Sequence, residues 1–474
     1  MVYHALGGLP MSAPTLTPAQ QTVADEMLRF GAGQSPHAVA TLAGYAGVGK
    51  TTVVAHVVQA LARDGIAIAV LAPTHKALSV IGDKLGDTTV EAMTLHAALA
   101  LRVTERPDGL QELTDSGDSG DLRNFDLAVI DEASMVSPGL FSSALSKRGR
   151  CRLLFVGDPA QLPPVDQNRA SSRDPGAITL SPVFGSHVPL HWRLLEVVRQ
   201  AQDNPIIRLA TAARRCIDAG EDFGLDTMAG QLHPGDDAFL DIRPGGVAEV
   251  SRLVADAIAH GQDTRALAFD NNTVQAINAS VHTLVHMGQG DYPPDTLLIA
   301  QDGFNAFAPG TEGLPSPKRM PVRNSALLTV VGSVESPHPS EAGRPAYKLT
   351  LCTDEGARLV CWVPADQRQW QADISEHFAE YRRLKLRLQI AVAGERRAIE
   401  HAMKAASQQG WTLKARFASL RYAYAMTVHK SQGSTFDAAV LDWTSFQRCR
   451  DAQQRNRLAY VALTRSRRFA VVCA

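Results

Sequence analysis

The sequence lacks the patterns that mark zinc-binding, secreted and membrane-spanning chains. Its 474 residues include six cysteines, which form neither a Cys-x-x-Cys pair nor a Cys/His spacing suited to zinc. No apolar run reaches about 18 residues, and no basic leader precedes an apolar core near the N-terminus. We therefore expect reduced thiols, no structural zinc, no membrane contact and a cytoplasmic location. Translation begins at either Met1 or Met11.

An excess of charge of one sign is also missing. The 47 Lys and Arg residues nearly balance the 48 Asp and Glu residues, so the formal net charge is −1. A neutral total provides no overall field that attracts nucleic acid or membrane, so any polyanion must be bound by local basic clusters. The length indicates about three domains, at roughly 100–200 residues per domain.

Short apolar runs alternate with helical patterns in residues 12–190. The runs AVATLA, IAIAVLAP, FDLAVIDEA and CRLLFVGD each end where polar or glycine residues begin, as parallel strands wrapped by helices do. Residues 99–121 break this alternation, because two strand-like segments flank an Asp108-Gly109 turn there. We predict an α/β domain with a parallel sheet and an inserted β-hairpin.

A second alternating region covers residues 191–290 and resumes at 412–474, so the residues between them form an insertion. Residues 291–365 are rich in Pro and Gly but contain β-branched and alternating runs, which favour a small antiparallel barrel. Residues 366–411 have a helical pattern, with Gly394 as the break between two antiparallel helices. The sequence therefore predicts a second parallel-sheet domain interrupted by a barrel and a helical pair.

The stretch GYAGVGKTT, residues 44–52, follows an apolar strand and precedes a helical run. It matches the pattern G-x-x-x-x-G-K-[ST] in the structural context that a phosphate-binding loop requires. Glycines let backbone amides approach phosphates, Lys50 reaches the outer phosphates, and the Thr51 hydroxyl holds a magnesium ion. The alternative is a glycine turn that carries a surface lysine. The residues assigned to the nucleotide are Gly44, Gly47, Val48, Gly49, Lys50, Thr51 and Thr52.

Two loops after buried strands supply the polar groups that hydrolysis of a triphosphate needs. In LAVIDEAS, Asp131 and Glu132 project from the C-terminal edge of the sheet, where open α/β sheets bind ligands. We expect Asp131 to hold magnesium and Glu132 to orient or deprotonate the attacking water. An acidic helix cap is the structural alternative. In VGDPAQLPPV, Gln161 is placed to sense the γ-phosphate without competing for the metal.

Taken in order, the motifs of this chain resemble those of the superfamily 1 helicases over nearly its whole length. Besides the loops above, the motifs are LAPTHKAL, MTLHAAL, VVRQAQDNPI, AMTVHKSQGSTFD and LAYVALTRSRR. They are most similar to the RecD-like branch, including a bacteriophage member. The resemblance implies two RecA-like motor domains with ATP and Mg²⁺ in the cleft between them. It also implies a pin hairpin in the first domain, an SH3-type barrel with a helical tower in the second, and 5′-to-3′ travel along single-stranded DNA.

The resemblance assigns further nucleotide roles outside the phosphate loop. Gln20 matches the glutamine that recognises adenine, although a helix-start glutamine is an equally good local interpretation. Arg199 and Arg465 match two arginines that the second domain directs at the γ-phosphate, with a salt-bridged helix arginine as the alternative. Gln432 and Gly433 match the motif that links the nucleotide to the DNA.

The expected DNA contacts are polar loop residues in both motor domains and one apolar residue of the pin. Hydroxyl, amide and imidazole groups suit a grip on phosphate and sugar that ignores base sequence. Pins of relatives carry an aromatic residue near the working edge, whereas this hairpin offers Leu110 and Leu113 beside Asp108 and Glu112. Strand separation therefore uses an aliphatic wedge or is weaker. The residues assigned to DNA are Pro73, Thr74, His75, Thr94, His96 and Leu110 in the first domain and Thr427, His429 and Lys430 in the second.

These features predict an ATP-dependent DNA helicase that acts as a monomer on single-stranded and forked duplex DNA. Single-strand-binding, replication or recombination proteins are the expected protein partners. Two alternatives stay open at this stage: an ATP-switched clamp that holds single strands without unwinding, and a RecD-like motor subunit of a larger recombination or repair complex. The direction of travel follows from the resemblance alone.

Overall fold

The computed structural model describes residues 16–474 apart from 74–76, 79–80, 83–84, 86–87, 89, 106, 108–110, 116–120, 165–179, 197–203, 234–239 and 342. Two of its sheets are wholly parallel and are flanked by helices. The prediction of an α/β chain with two parallel-sheet domains is therefore confirmed.

The first domain is built on six parallel strands. Its elements are α1 (Pro18–Gly31), β1 (Val39–Gly44), α2 (Lys50–Arg63), β2 (Ile68–Ala72), β3 (Glu91–Thr94), α3 (Leu95–Ala98), β4 (Leu101–Glu105), β5 (Gln111–Asp115), β6 (Leu127–Ile130), α4 (Pro138–Lys147), β7 (Arg152–Gly157) and β8 (Leu190–Leu194). The strand order is β3-β2-β6-β7-β1-β8. Successive residues of β2 pack into cores on opposite faces, Val70 into the core of α2 and Leu71 into that of α3 and α4. Because helices cover both faces, the strands are continuous apolar runs.

A two-stranded antiparallel hairpin, β4 with β5, lies between α3 and β6, and its register places Leu101 opposite Asp115. At its base, the Nζ atom of Lys147 in α4 forms an ion pair with Asp115 (2.6 Å) and donates to the carbonyl of Leu99 (2.7 Å). The base of the hairpin is therefore fixed to the first domain.

The chain from residue 205 builds a second parallel sheet and an inserted antiparallel one. Its elements are α5 (Pro205–Ala219), α6 (Leu225–Ala229), β9 (Leu240–Arg243), α7 (Val247–Ala259), β10 (Thr264–Ala268), α8 (Asn271–His286), β11 (Leu297–Ala300), β12 (Phe304–Phe307), β13 (Arg319–Val322), β14 (Leu327–Glu335), β15 (Ala346–Thr353), β16 (Arg358–Pro364), α9 (Gln367–Ile390), α10 (Ala393–Arg416), β17 (Leu420–Tyr422), β18 (Ala425–Thr427), β19 (Phe436–Asp442), α11 (Trp443–Phe446), α12 (Ala452–Leu463) and β20 (Ser466–Cys473). The parallel sheet has the order β18-β10-β19-β20-β9.

The two parallel-sheet domains share a packed contact. Helix α12 is buried from Asn456 to Leu463, and the core around it includes Ala160 and Leu162 of the first domain. The loop after β7 is therefore enclosed by the second domain, and a cleft forms at the carboxyl end of the first sheet.

The insertion consists of seven antiparallel strands and a helical hairpin. The strand order is β13-β12-β16-β15-β14-β11-β17, and the SH3-type barrel stays a prediction because the described pairs form an open order. Helices α9 and α10, the tower, have 24 residues each and are about 36 Å long. Ion pairs from Arg344 to Asp373 and from Arg416 to Glu341 join the tower to the sheet.

The boundaries of the tower differ slightly from those predicted. Helix α9 ends at Ile390 and α10 begins at Ala393, so the break precedes Gly394. Helix α10 continues to Arg416, past residue 411, because its apolar face still packs against the sheet there. In the part of the chain that the structure describes, none of the helices combines the length and the apolar composition needed to cross a membrane.

Candidate functional site

The loop from Gly44 to Thr51 connects β1 to α2 at the carboxyl edge of the first sheet. Gly47 and Gly49 have φ angles of 80° and 82°, a left-handed conformation that favours glycine. A Cβ atom on Gly44 would lie 2.9 Å from a methyl of Val48, a buried residue, so only glycine fits there. The loop therefore leads into the N-terminus of α2, where backbone N–H groups attract phosphate.

Two side chains hold this loop. The Nζ atom of Lys50 donates to the carbonyls of Gly44 (2.8 Å) and Tyr45 (3.0 Å). The side-chain amide of Gln20 donates to the carbonyl of Val48 (2.9 Å). Gln20 is also buried and completes a capping box with Thr17, so it ties α1 to the phosphate loop. Its contact with adenine stays a prediction, and the alternative helix-start role is present in the structure.

Asp131 and Glu132 follow β6 at the same edge of the sheet. The Glu132 N–H donates to the Asp131 carboxylate (2.9 Å), and Glu132 has a left-handed φ of 50°. Burial raises the pKa of Glu132, and the neighbouring charge of Asp131 raises it further, while Arg465 and Lys50 oppose the shift. A carboxyl group with a raised pKa beside a phosphate site suits a proton acceptor.

The loop after β7 places Asp158 and Gln161 beside these carboxylates. Asp158 is fully buried, and its carboxylate accepts from the Ala160 N–H (2.9 Å). Burial raises the pKa of Asp158, whereas the charge of Lys50 and two hydrogen bonds act in the opposite direction. The side-chain oxygen of Gln161 accepts from the Ser134 hydroxyl (3.2 Å), which links this loop to the segment after Glu132.

Arg465 of the second domain faces this cluster. It is only 7% exposed, and its guanidinium donates to the carbonyls of Val461 (3.1 Å) and Ser434 (3.1 Å). Burial lowers the pKa of Arg465, and among its neighbours the Glu132 carboxylate opposes that shift most strongly, with Asp158 also contributing. Arg465 therefore lies in the cleft rather than in open solvent.

Two further side chains of the second domain bond to the loop after β7. The amide of Gln432 donates to the Leu162 carbonyl (3.2 Å), and the neighbouring Gly433 has a φ of 72°. The guanidinium of Arg457 donates to the carbonyls of Pro159 and Gln161. The segment that carries Gln161 is therefore bound by both domains.

The described DNA-contact candidates of the first domain lie at its sheet edge. The register pairs Ala72 with Thr94, so Pro73, which follows β2, lies next to the end of β3. The Thr94 hydroxyl caps α3 by accepting from the Ala97 N–H (3.2 Å). Burial lowers the pKa of His96, which favours the neutral imidazole.

In the second domain, Thr427, His429 and Lys430 lie at or just after the end of β18. The Thr427 hydroxyl accepts from the Lys430 N–H (3.4 Å). The exposed Lys430 donates through Nζ to Gln301 of the insertion (3.1 Å), which brings the insertion to the same edge.

Four predicted residues, Thr74, His75, Leu110 and Arg199, lie outside the described residues. Within the phosphate loop the side chain of Val48 is buried, and Thr51 and Thr52 lie half-buried on the first turn of α2. Magnesium prefers oxygen ligands and usually takes few from the protein. The Thr51 hydroxyl and the Asp131 carboxylate, at the loop and at the adjacent sheet edge, are a donor set that fits this ion.

Residues that the sequence did not single out also join the domains. The Tyr460 hydroxyl accepts from the Ala46 N–H (2.8 Å) and donates to Asp158. The Arg214 guanidinium lies 3.7 Å from the ring centre of Tyr45. Tyr460 lies inside the motif LAYVALTRSRR, a signal that could have identified it, whereas Arg214 lies in no such motif.

Family models match both parts of the site. One described as an AAA domain matches residues 15–237, and one described as a UvrD-like helicase C-terminal domain matches residues 422–473. The first region contains the phosphate loop and the carboxylates, and the second contains Gln432 and Arg465.

Similar proteins include two curated DNA helicases. The chain is 26% identical over 437 residues to the ATP-dependent DNA helicase dda of Enterobacteria phage T4, with 90% of this chain and 92% of that protein covered. It is 31% identical over 175 residues to the ATP-dependent RecD2 DNA helicase of Deinococcus radiodurans, with 37% of this chain and 21% of that protein covered. A crystal structure of Pif1 helicase from Candida albicans is similar with 17% identity, a TM-score of 0.48, and 97% and 94% of the two chains covered.

Proposed function

The chain belongs to the superfamily 1 helicases, and from that premise we propose that it is an ATP-dependent DNA helicase that moves 5′ to 3′ along single-stranded DNA and unwinds duplex. The similarity to two curated DNA helicases supports the activity and the nucleic acid. The direction of travel rests on the RecD-like pattern of the motifs.

One observation carries the proposal: Arg465 of the second domain is buried in the cleft, with Glu132 and Asp158 of the first domain as its charged neighbours. A buried guanidinium opposite a phosphate loop can stabilise the charge that develops on a transferred phosphoryl group, an effect worth roughly 10³-fold or more in rate. Hydrolysis at such a site changes the charge between the domains, which links chemistry to domain closure.

The residues of the cleft have distinct roles in this proposal. The phosphates of ATP bind the amides at the start of α2 and the ammonium group of Lys50, while Gln20 contacts the adenine. Glu132 accepts a proton from the attacking water, and Gln161 senses the γ-phosphate. Mg²⁺, held by Thr51 and Asp131, supplies charge neutralisation at the phosphates. Arg199 acts with Arg465 from the second domain.

Movement requires that the two domains grip DNA alternately. The first set of contacts follows β2 and β3, and the second set, around Lys430, follows β18. Gln432 connects the second set to the nucleotide cleft, because it lies two residues after Lys430 and bonds to the loop that carries Gln161. Closure around ATP and release after hydrolysis then shift one set relative to the other. The hairpin β4–β5 acts as the pin, and the inserted sheet as an SH3-type barrel.

The site assignment is tested by Lys50→Ala. We expect DNA-stimulated ATP hydrolysis to be abolished, because the ammonium group that binds the outer phosphates is removed. Release of inorganic phosphate with and without single-stranded DNA measures the effect, and Lys404→Ala, an exposed tower lysine, is the matched control. Hydrolysis by Lys50→Ala at the parental rate would show that the loop is not the catalytic phosphate site.

The DNA activity is tested with forked substrates that carry a 5′ or a 3′ single-stranded tail and an excess of trap strand. The proposal expects displaced strand from the 5′-tailed fork. Product from the 3′-tailed fork alone would reverse the direction of travel while leaving the motor intact. DNA-stimulated hydrolysis without any displaced strand would instead support an ATP-switched clamp, and activity only with added partner proteins would support a subunit of a larger complex.

A further inference from the structure

Tyr460 is a buried tyrosine of the second domain. In the described structure, both hydrogen bonds of its hydroxyl are made to the first domain. It lies on α12, five residues before Arg465, and is 1% exposed. Its hydroxyl accepts from the Ala46 N–H of the phosphate loop (2.8 Å) and donates to the carboxylate of Asp158. The single O–H of the phenol therefore donates to Asp158, and its oxygen also accepts a hydrogen bond from the loop amide.

The two groups that Tyr460 contacts belong to separate segments of the first domain. Ala46 lies within the loop that holds phosphates, and Asp158 begins the loop that carries Gln161. One hydroxyl thus bonds to both segments. A shift of the phosphate loop or of the Asp158 loop therefore changes a hydrogen bond to the second domain.

Asp158 needs this hydrogen bond because it is a fully buried carboxylate near Lys50. Its other described donor is the Ala160 N–H at 2.9 Å. A buried carboxylate that loses a donor seeks another cation or donor. Lys50 is the cation whose charge acts most strongly on it, so an unsatisfied Asp158 would compete with the phosphates for the same ammonium group.

Resting on the proposed ATP-driven function, we propose that Tyr460 is a positioning residue that couples the phosphate site to the second domain. Its hydroxyl satisfies the Asp158 carboxylate, so that Lys50 stays available to the phosphates, and fixes the phosphate loop against α12. Because α12 is a buried helix that leads into Arg465, the position of the phosphate loop then sets the position of the guanidinium. Binding of the triphosphate at the phosphate loop is therefore coupled to the placement of Arg465 in the cleft.

The test compares Tyr460→Phe with the parent chain in single-stranded-DNA-stimulated ATP hydrolysis. Phenylalanine keeps the buried ring and removes only the hydroxyl. We expect kcat at saturating DNA to fall at least about tenfold, as misplacement of a reacting group does. The affinity for single-stranded DNA, measured by fluorescence anisotropy, should stay within about twofold of the parent value, because the Tyr460 hydroxyl bonds to Ala46 and Asp158, neither of which is a proposed DNA contact. Parental kcat in Tyr460→Phe would overturn the inference.

Tyr424→Phe is the matched control for loss of a buried hydroxyl. Tyr424 is fully buried in the second domain, and its hydroxyl bonds to His286 (3.0 Å) rather than to the cleft. We expect Tyr424→Phe to retain the parental kcat. An equal loss of kcat in both variants would assign the effect to general packing and overturn the positioning role.

Asp158→Asn separates positioning from a structural role. In the Tyr460→Phe background, asparagine removes the charge that competes for Lys50, so we expect kcat of the double variant to be at least that of Tyr460→Phe alone. Losses that multiply independently would overturn the proposed coupling. A parent chain without DNA-stimulated hydrolysis would overturn the proposed function, whereas an active parent with an unaffected Tyr460→Phe variant would overturn only this inference.

Discussion

Glu132 lies after a buried strand, in a left-handed backbone conformation, beside Asp131. The sequence LAVIDEAS predicted its place at the sheet edge, because a carboxylate that directly follows a buried strand projects from the C-terminal edge of the sheet. The sequence did not predict the raised pKa of Glu132, because burial and the charge of Asp158 act on it only after separate segments of the chain have met. The raised pKa that suits Glu132 to accept a proton is therefore a property of the folded cleft.

We predict that Glu132→Gln lowers DNA-stimulated hydrolysis about 100-fold or more, because the amide cannot accept a proton from water. Binding of ATP should persist, since the groups at the start of α2 are unchanged. Phosphate release and nucleotide-binding measurements separate the two effects. The control is Glu395→Gln, a substitution on the exposed face of the tower. A parental rate in Glu132→Gln would exclude Glu132 as the base.

The dependence of hydrolysis on pH follows from the raised pKa of Glu132. A carboxyl group whose pKa lies above its ordinary value of 4.5 becomes protonated at a higher pH when the solution is acidified, so its function as a base is lost there. We expect kcat at saturating ATP and DNA to fall on acidification with a midpoint above pH 4.5. If the residual kcat of Glu132→Gln falls on acidification with the same midpoint, a group other than Glu132 causes the pH dependence.

At the scale of elements, the tower and the hairpin come from distant parts of the chain and meet. The Nη1 atom of Arg382 in α9 donates to the carbonyl of Pro107, between β4 and β5 (3.2 Å). The sequence predicted a hairpin and a helical pair, each from its own local pattern. It did not predict their contact, because a hydrogen bond to a backbone carbonyl leaves no signature in the side chains of the partner segment.

We predict that Arg382→Ala reduces strand displacement more than it reduces DNA-stimulated hydrolysis, because the hairpin loses support from the tower while the ATP cleft is unchanged. Neighbouring Arg383 is the matched control, since it is exposed and pairs with Glu380 on its own helix. Displacement of a forked substrate and phosphate release are measured on the same preparations. Equal loss in both assays, or equal effects of the two substitutions, would contradict a supporting role for the contact.

At the scale of the whole molecule, the formal net charge is −1, so DNA must be held by local clusters. Lys430 follows β18, and partial desolvation of its ammonium group lowers its pKa, with the positive charge of Arg421 lowering it further. The inserted sheet contributes to this cluster, because the Nζ atom of Lys430 donates to Gln301. The insertion and the second parallel sheet therefore meet where DNA is proposed to bind.

We predict that Lys430→Ala weakens binding to single-stranded DNA and reduces its salt dependence. Loss of one phosphate contact should lower the slope of log K against log salt concentration by about 0.7. Titrations by fluorescence anisotropy at several salt concentrations measure this slope, with Lys404→Ala as the control. An unchanged slope in Lys430→Ala would remove Lys430 from the phosphate contacts.

The amino-acid sequence by itself determined the phosphate loop, the two parallel sheets and the family, because glycine spacing, apolar runs and ordered motifs are local patterns. It could not decide between a capping and an adenine-binding role for Gln20, and it left Tyr460 unassigned within its motif. Tyr460 meets Asp158 across 302 residues of chain. Only the tertiary structure decided that contact, because its geometry depends on both domains packing against α12 at once.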